Sequence, residues 1–405
     1  MEIWRKITER LLEDTSTSGT KFSPLDGLRG IAVLVVFLSH SSGFRQRLTP
    51  WTSFHGTGHL GVYLFFVLSG FLLTWSLLAA RRINFTGFYM RRFFRIAPLF
   101  YLIVTAVFAV QLWSGKVDLF NLHVKEGWTG FWQHLAFYRG DSVFWTIAAE
   151  FEFYVILPFL VAALARGGAK IAVLYALVAA FIGVWYILIE FGKVDPRYSL
   201  KVANIVHHSQ YLDVFLLGII AAWIFQRPGF AENSGSARTL HTAASAAFVI
   251  ILLVSLVLVA ENFFGFGRFW RNEQSWWKAL EAPAKFGPQS WSLLYGAGFA
   301  IVALAALSGS RFLAALCNLR VLRLIGVTGF SWYMIHFPIL RLVNSLFGFL
   351  PTAGGNVAWS IKEPVALAVS FILTFSAAIV LYLGVEKPFM VLSRNLLRKK
   401  TPATV

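Results

Sequence analysis

The chain has one cysteine, Cys317, in 405 residues. A single thiol excludes an intrachain disulfide and leaves no thiolate cluster for a metal. Charge is scarce too: charged residues make up 14% of the chain and hydrophobic residues 57%, with 40 Phe and 15 Trp among them. A soluble domain of this length needs more polar surface, so the composition predicts a polytopic membrane protein. Acidic residues are few, and the formal net charge is +17. The basic residues are dispersed among apolar stretches, which argues against a nucleic-acid partner and for a lipid bilayer with a positive inner side. The first twenty residues mix both charges and lack a long apolar core. They read as a cytoplasmic amphipathic leader rather than a cleaved signal peptide. No internal repeat of the transporter kind is found, and no soluble domain is expected before or after the spans.

Apolar stretches long enough to cross about 30 Å of hydrocarbon recur along the chain. Ten are predicted: 27–44, 60–80, 96–114, 144–165, 170–190, 211–226, 241–260, 291–308, 324–345 and 364–385. The expected fold is an all-α transmembrane bundle with both termini cytoplasmic. With that orientation the inner segments hold 21 Lys and Arg and the outer loops 13, although the outer loops are longer in total. The domain plan is a leader over 1–26, a transmembrane domain over 27–386 and a basic cytoplasmic tail over 387–405. Cys317 falls in an inner loop and is expected to be a bystander. The compartment is a plasma membrane or bacterial inner membrane.

Ionisable residues inside such spans are costly and mark function by default. Arg29 and His40 bracket the first span in "GLRGIAVLVVFLSH". On a helix, eleven steps of about 100° return to nearly one face and cover roughly 16 Å, so both side chains look into one cavity at different depths. A neutral imidazole near its ordinary pKa of about 6.5 suits general-base work; the bland alternative is an interfacial histidine bonded to a carbonyl. In "FWTIAAEFEFY", Thr146, Glu150 and Tyr154 share a face at i, i+4 spacing around a buried carboxylate, while Glu152 points away from them. A helix-packing contact is the plainer reading of Glu150. The outward first and ninth spans and the inward fourth bring His40, Glu150 and His336 to similar depth. "GFYMRRFFRIAPLFY" sets Arg91, Arg92 and Arg95 at the inner end of the third span. They serve as a topology signal and also as a phosphate clamp that Arg29 can join. Gly61, Ser69 and Gly70 let helices approach closely or leave room for a slender ligand. "IGVTGFSWYMIHFP" puts Gly326, Gly329, Tyr333 and His336 near one face, and "VEKPF" puts Glu386 and Lys387 at the inner boundary, where an ion pair is the default.

These motifs, in this order and over nearly the whole chain, resemble the membrane acyltransferase-3 family. Arg29, ten residues and His40 look like its Arg/Lys–His pair. "GVYLFFVLSGFLLT" and "FYMRRFFRIAPLFY" resemble its second-span and arginine-rich motifs. "WTIAAEFEFY" resembles Trp-Ser-Leu-x-x-Glu-x-x-Phe-Tyr, with Thr146 and Ile147 as departures. "GVTGFSWYMIHFP" resembles the late Gly-x-x-Ser-Tyr-x-x-Tyr-x-x-His-x-Pro motif. Gly329 and Phe330 stand where Ser and Tyr are usual, so no hydroxyl role is assigned there.

The resemblance implies an O-acyltransferase that moves an acyl group, acetyl above others, from cytoplasmic acyl-coenzyme A to a hydroxyl of a sugar, glycan or lipid-linked sugar. No metal is implied, and no fused esterase-like domain is expected. Arg29, Arg91, Arg92 and Arg95, with Ser69, would hold the donor. His40 would deprotonate the acceptor, directly or by way of an acyl-His intermediate, and Glu150 would orient or charge-balance its imidazole. Trp145, Tyr154, Tyr333 and His336 would line the substrate site. Trp276 and Trp277, in an aromatic outer loop, would either meet the acceptor or form an interfacial belt. A proton-coupled transporter or flippase of a glycan precursor is the competing class, because buried His and Glu also build proton relays.

Overall fold

A computed structural model describes residues 22–49, 54–80, 82–115, 122–190, 211–227, 292–308, 310–349 and 360–399, with isolated residues between 230 and 247. The leader, the predicted span at 241–260 and the loop holding Trp276 and Trp277 lie outside the described residues or nearly so. The described elements are helical: α1 (Ser23–Gly43), α2 (Gly58–Leu78), α3 (Phe85–Ser114), α4 (Gly127–Leu135), α5 (Trp145–Gly167), α6 (Ala169–Glu190), α7 (Leu212–Phe225), α8 (Ser292–Leu307), α9 (Arg311–Cys317), α10 (Arg320–Val327), α11 (Gly329–Leu346), α12 (Lys362–Leu381) and α13 (Lys387–Lys399). Among them six helices are long and apolar enough to cross a membrane. The pair α8 and α9, bent by 93° at its break, would make a seventh, and α7 is a shorter apolar helix. Their outer faces carry exposed apolar side chains, such as Phe159, Leu177, Ile372 and Val380, as a lipid-facing surface does.

Several elements run differently from the apolar stretches. The third starts eleven residues before the predicted 96, because Asn84 caps the helix by accepting from the Gly87 N–H at 2.8 Å. It ends where Gly115 takes φ 68°. The arginine motif therefore rides on a continuous helix. The predicted ninth span is broken at Thr328 into α10 and α11. Beyond α12 the chain makes one π turn over Tyr382–Glu386 and continues as α13, so most of the predicted tail is a helix. Cys317 sits fully buried in α9 rather than in an open loop.

Close backbone approach sets the helix order. A Cβ on Gly70 would lie 2.6 Å from the Phe215 carbonyl oxygen, and one on Gly218 would lie 2.3 Å from that of Val67, so α2 and α7 cross with their backbones in contact. Phe66, Phe215 and Phe153 stack at this crossing, with ring centroids 4.4 and 3.9 Å apart. At the far end of α1, Arg47 makes a two-point ion pair with the buried Glu363 of α12, at 2.7 and 3.2 Å. Gln46 donates to the Leu340 carbonyl and accepts from Ser370. The end of α1 that carries His40 is thereby tied to α11 and α12.

Candidate active site

Two cavities meet inside the bundle. The larger, about 310 Å³, opens at the arginine-bearing ends of α1 and α3. Asp26, Arg29, Ser69, Arg91, Arg92, Arg95, Glu150 and Tyr154 all line it, which gathers the predicted donor residues from three helices and sets Glu150 and Tyr154 of a fourth beside them. Arg29 also lies 5.5 Å from the centroid of the Phe65 ring. The smaller, about 40 Å³, is a neck walled mainly by apolar and small groups, including Ala32, Val36, Gly61, Gly329 and Tyr333. Phe65, Glu150 and Phe330 belong to both walls, so the two cavities adjoin there. Val36 and Tyr333 are one turn below His40 and His336, which themselves line neither of these two cavities.

The carboxylate of Glu150 is held in place rather than paired with a histidine. Ser69 Oγ donates to its Oε1 at 2.9 Å, and the Tyr154 hydroxyl donates to the same oxygen. Arg92 reaches the Tyr154 hydroxyl from the other side. The i, i+4 face expected for Thr146, Glu150 and Tyr154 is present: Thr146 and Glu150 line the smaller cavity, Glu150 and Tyr154 the larger, and the Thr146 hydroxyl donates to the Val143 carbonyl. Glu386, the residue expected to pair with a basic loop, is buried; it accepts from Ser331 at 3.0 Å and lies in electrostatic range of Arg95 and Arg29.

His40 has a different partner from the one the resemblance implied. Its Nδ1 is 2.8 Å from His336 Nε2, and the rings lie 13° from parallel. His336 Nδ1 is in turn 2.6 Å from the Tyr333 carbonyl oxygen. A carbonyl only accepts, so in neutral His336 the proton sits on Nδ1 and Nε2 is the acceptor. His40 must then donate through Nδ1, which leaves the lone pair on its Nε2. That atom faces the start of α2, where a Cβ on Gly58 would come within 3.7 Å. Tyr333 is fixed by donating to the Val143 carbonyl at 2.9 Å.

Trp145 lies at the histidine end of α5, with ring centroids 6.0 Å from His59 and 4.9 Å from Tyr211. His59 and Tyr211 were not singled out from sequence; a second histidine in "HGTGHLGV" was the available signal. Among the described residues no group of three or more His, Cys, Asp or Glu is arranged to hold a metal.

Comparison with known proteins decides the family. A family model described as "Acyltransferase domain" matches residues 23–383. The chain belongs to the acyltransferase-3 family. It is 26% identical over 394 residues to "Putative peptidoglycan O-acetyltransferase YrhL" of Bacillus subtilis (strain 168), covering 90% of this chain and 54% of that protein. It is 25% identical over 410 residues to "Acyltransferase MdmB" of Streptomyces mycarofaciens, covering 94% of both. The chain thus spans about half the length of the first relative and nearly all of the second. No solved structure matches it. The matches are to acyltransferases, and the transporter class gains no support from them.

Proposed function

We propose that the protein is an integral-membrane O-acyltransferase that takes an acetyl group from acetyl-coenzyme A at the arginine end and passes it to a glycan hydroxyl at the histidine end. The observation that carries this reading is the adjoining pair of cavities: a wide, arginine-lined chamber beside a small apolar one whose Val36 and Tyr333 lie one helical turn from His40 and His336. That shape and charge match a donor with phosphates at one end and a thioester on a thin pantetheine arm at the other. Arg29, Arg91, Arg92 and Arg95 supply charge-assisted contacts to phosphate. Excess basic residues on the inner segments support the arginine end as the cytoplasmic one.

The chemistry follows from the tautomers. His40 Nε2 removes the proton of the acceptor hydroxyl as its oxygen attacks the thioester carbonyl carbon. The carbon–sulfur bond then breaks, the thiolate leaves, and the proton on His40 passes to it, which restores the neutral ring. His336 orients that ring in the role first assigned to Glu150, and stabilises the imidazolium when it forms. Glu150 balances the guanidinium groups where the chamber becomes the neck. Trp145 gives the acceptor a flat apolar platform beside His59, with Trp276 and Trp277 as further candidates. A glycan acceptor is supported by the name of the Bacillus relative, which specifies peptidoglycan.

The test uses the full chain, purified into lipid nanodiscs, with isotopically labelled acetyl-coenzyme A and fragments of bacterial cell-wall glycan. The expected result is free thiol release matched by base-labile O-acetyl label on the glycan. Thiol release that is independent of every glycan tried, or no release with active protein preparations, would overturn the reading.

A further inference from the structure

The donor chamber has a wall that none of the family motifs supplies. Helix α13 lies along α3, with Phe389 stacked on Phe94 at 6.4 Å between centroids. It turns Met390, Ser393 and Arg394, at i, i+3 and i+4, into the chamber lining. Ser393 is 1% exposed, and its Oγ has no hydrogen-bond partner. Arg92 Nε, on the same lining, is also buried and without one. Buried polar atoms without partners are costly and rare, and here two of them belong to side chains that line one cavity. Arg394 raises the guanidinium groups lining the chamber to five, against the two lining carboxylates Asp26 and Glu150.

The motif arginines have local demands on their charge. Arg92 reaches Tyr154, Arg95 lies in range of Glu386, and Arg29 in range of Asp26. Arg394 enters from another helix, next to a hydroxyl that can donate to an anion. From these placements we infer that Ser393 and Arg394 form a second anion subsite in the chamber, taking a phosphate monoester remote from the reacting thioester.

The inference rests on the donor proposed above. In coenzyme A the group of that description is the ribose 3′-phosphate, which is separate from the diphosphate that joins the nucleotide to pantetheine. The subsite would let the protein select coenzyme A thioesters over donors that carry only the diphosphate or a single phosphopantetheine phosphate. Because it sits on α13, the selection depends on a helix beyond residues 23–383, the stretch that the family model matches.

The experiment measures equilibrium binding of coenzyme A and of 3′-dephospho-coenzyme A to the full chain in nanodiscs of neutral lipid. Wild-type protein should prefer coenzyme A by about tenfold or more, the scale of one charge-assisted contact. Arg394→Gln should bring the two ligands to within about twofold of each other, chiefly by weakening coenzyme A, and Ser393→Ala should reduce the preference in part. Arg398→Gln, on an exposed position of the same helix, should leave the preference intact. Equal binding of the two ligands by wild-type protein, or equal weakening of both by Arg394→Gln, would overturn the subsite. A preference unaltered by Arg394→Gln, with binding of anionic lipid vesicles lost instead, would also overturn it and point to a lipid phosphate. Binding of neither ligand by wild-type protein would instead overturn the donor assignment itself.

Discussion

His40 and His336 are 296 residues apart in the chain, and their ring nitrogens meet at 2.8 Å. The contact is directional, because the Tyr333 carbonyl fixes which nitrogen of His336 carries its proton. Replacing His40 by Ala removes the base and should lower acyl transfer by about 10²–10⁴-fold. His336→Ala should give a rate between that of His40→Ala and wild type, since the base stays but loses its orientation. His336→Gln keeps an acceptor and should recover part of the loss. Turnover numbers on equally inserted protein check this; wild-type turnover in His336→Ala would remove the orienting role.

Arg29, Arg92 and Arg95 line one chamber from two helices. Exchanging any one for Gln should weaken acetyl-coenzyme A binding by about tenfold or more, as loss of one charge-assisted contact does. The apparent KM of the acceptor should stay near its wild-type value. Donor titrations that show full affinity in all three variants would leave these residues with a topology role only.

The neck is narrow at Gly329, where a Cβ would come 3.0 Å from Val33 Cγ2. Gly329→Ala should therefore discriminate by acyl length. We expect kcat/KM for a butyryl donor to fall more than for an acetyl donor, while binding of free coenzyme A is kept. An equal fall for both donors would show that the acyl group does not pass this point.

At the crossing of α2 and α7 a side chain has nowhere to go. Gly70→Leu forces the Phe215 carbonyl away from a position 2.6 Å from the new Cβ. Overpacking of this kind costs about 1–3 kcal/mol, so the variant should lose folded yield and thermal stability in detergent. Unchanged melting behaviour would mean that the two helices can separate freely.

Trp145 and the loop carrying Trp276 and Trp277 make separable claims on the acceptor. Trp145→Ala should raise the acceptor's KM with donor affinity unchanged, because its ring sits with His59 and Tyr211 at the histidine end. If Trp276 and Trp277 bind acceptor, their Ala variants should behave alike. If they form an interfacial belt, yield should fall and acceptor kinetics should hold.

Much of the architecture follows from the chain order of residues alone. Apolar stretches, scarce charge and isolated ionisable side chains are local properties, and a bilayer makes each span satisfy its own backbone. The helical course of most spans, the arginine cluster at one end and the shared face of Glu150 and Tyr154 were therefore readable before any tertiary structure. Partner choice was not. Sequence spacing places Glu150 and His40 at similar depth, but depth says nothing about which faces turn toward each other. Packing turned Glu150 to Ser69 and gave His40 the ring of His336 instead. The role of α13 was hidden for the same reason. "KPFMVLSRNLLRK" carries no apolar run long enough to announce a wall of the arginine-lined chamber. Only its docking along α3 brings Ser393 and Arg394 to the site, because long-range contacts depend on helix rotation and crossing geometry that no local pattern encodes.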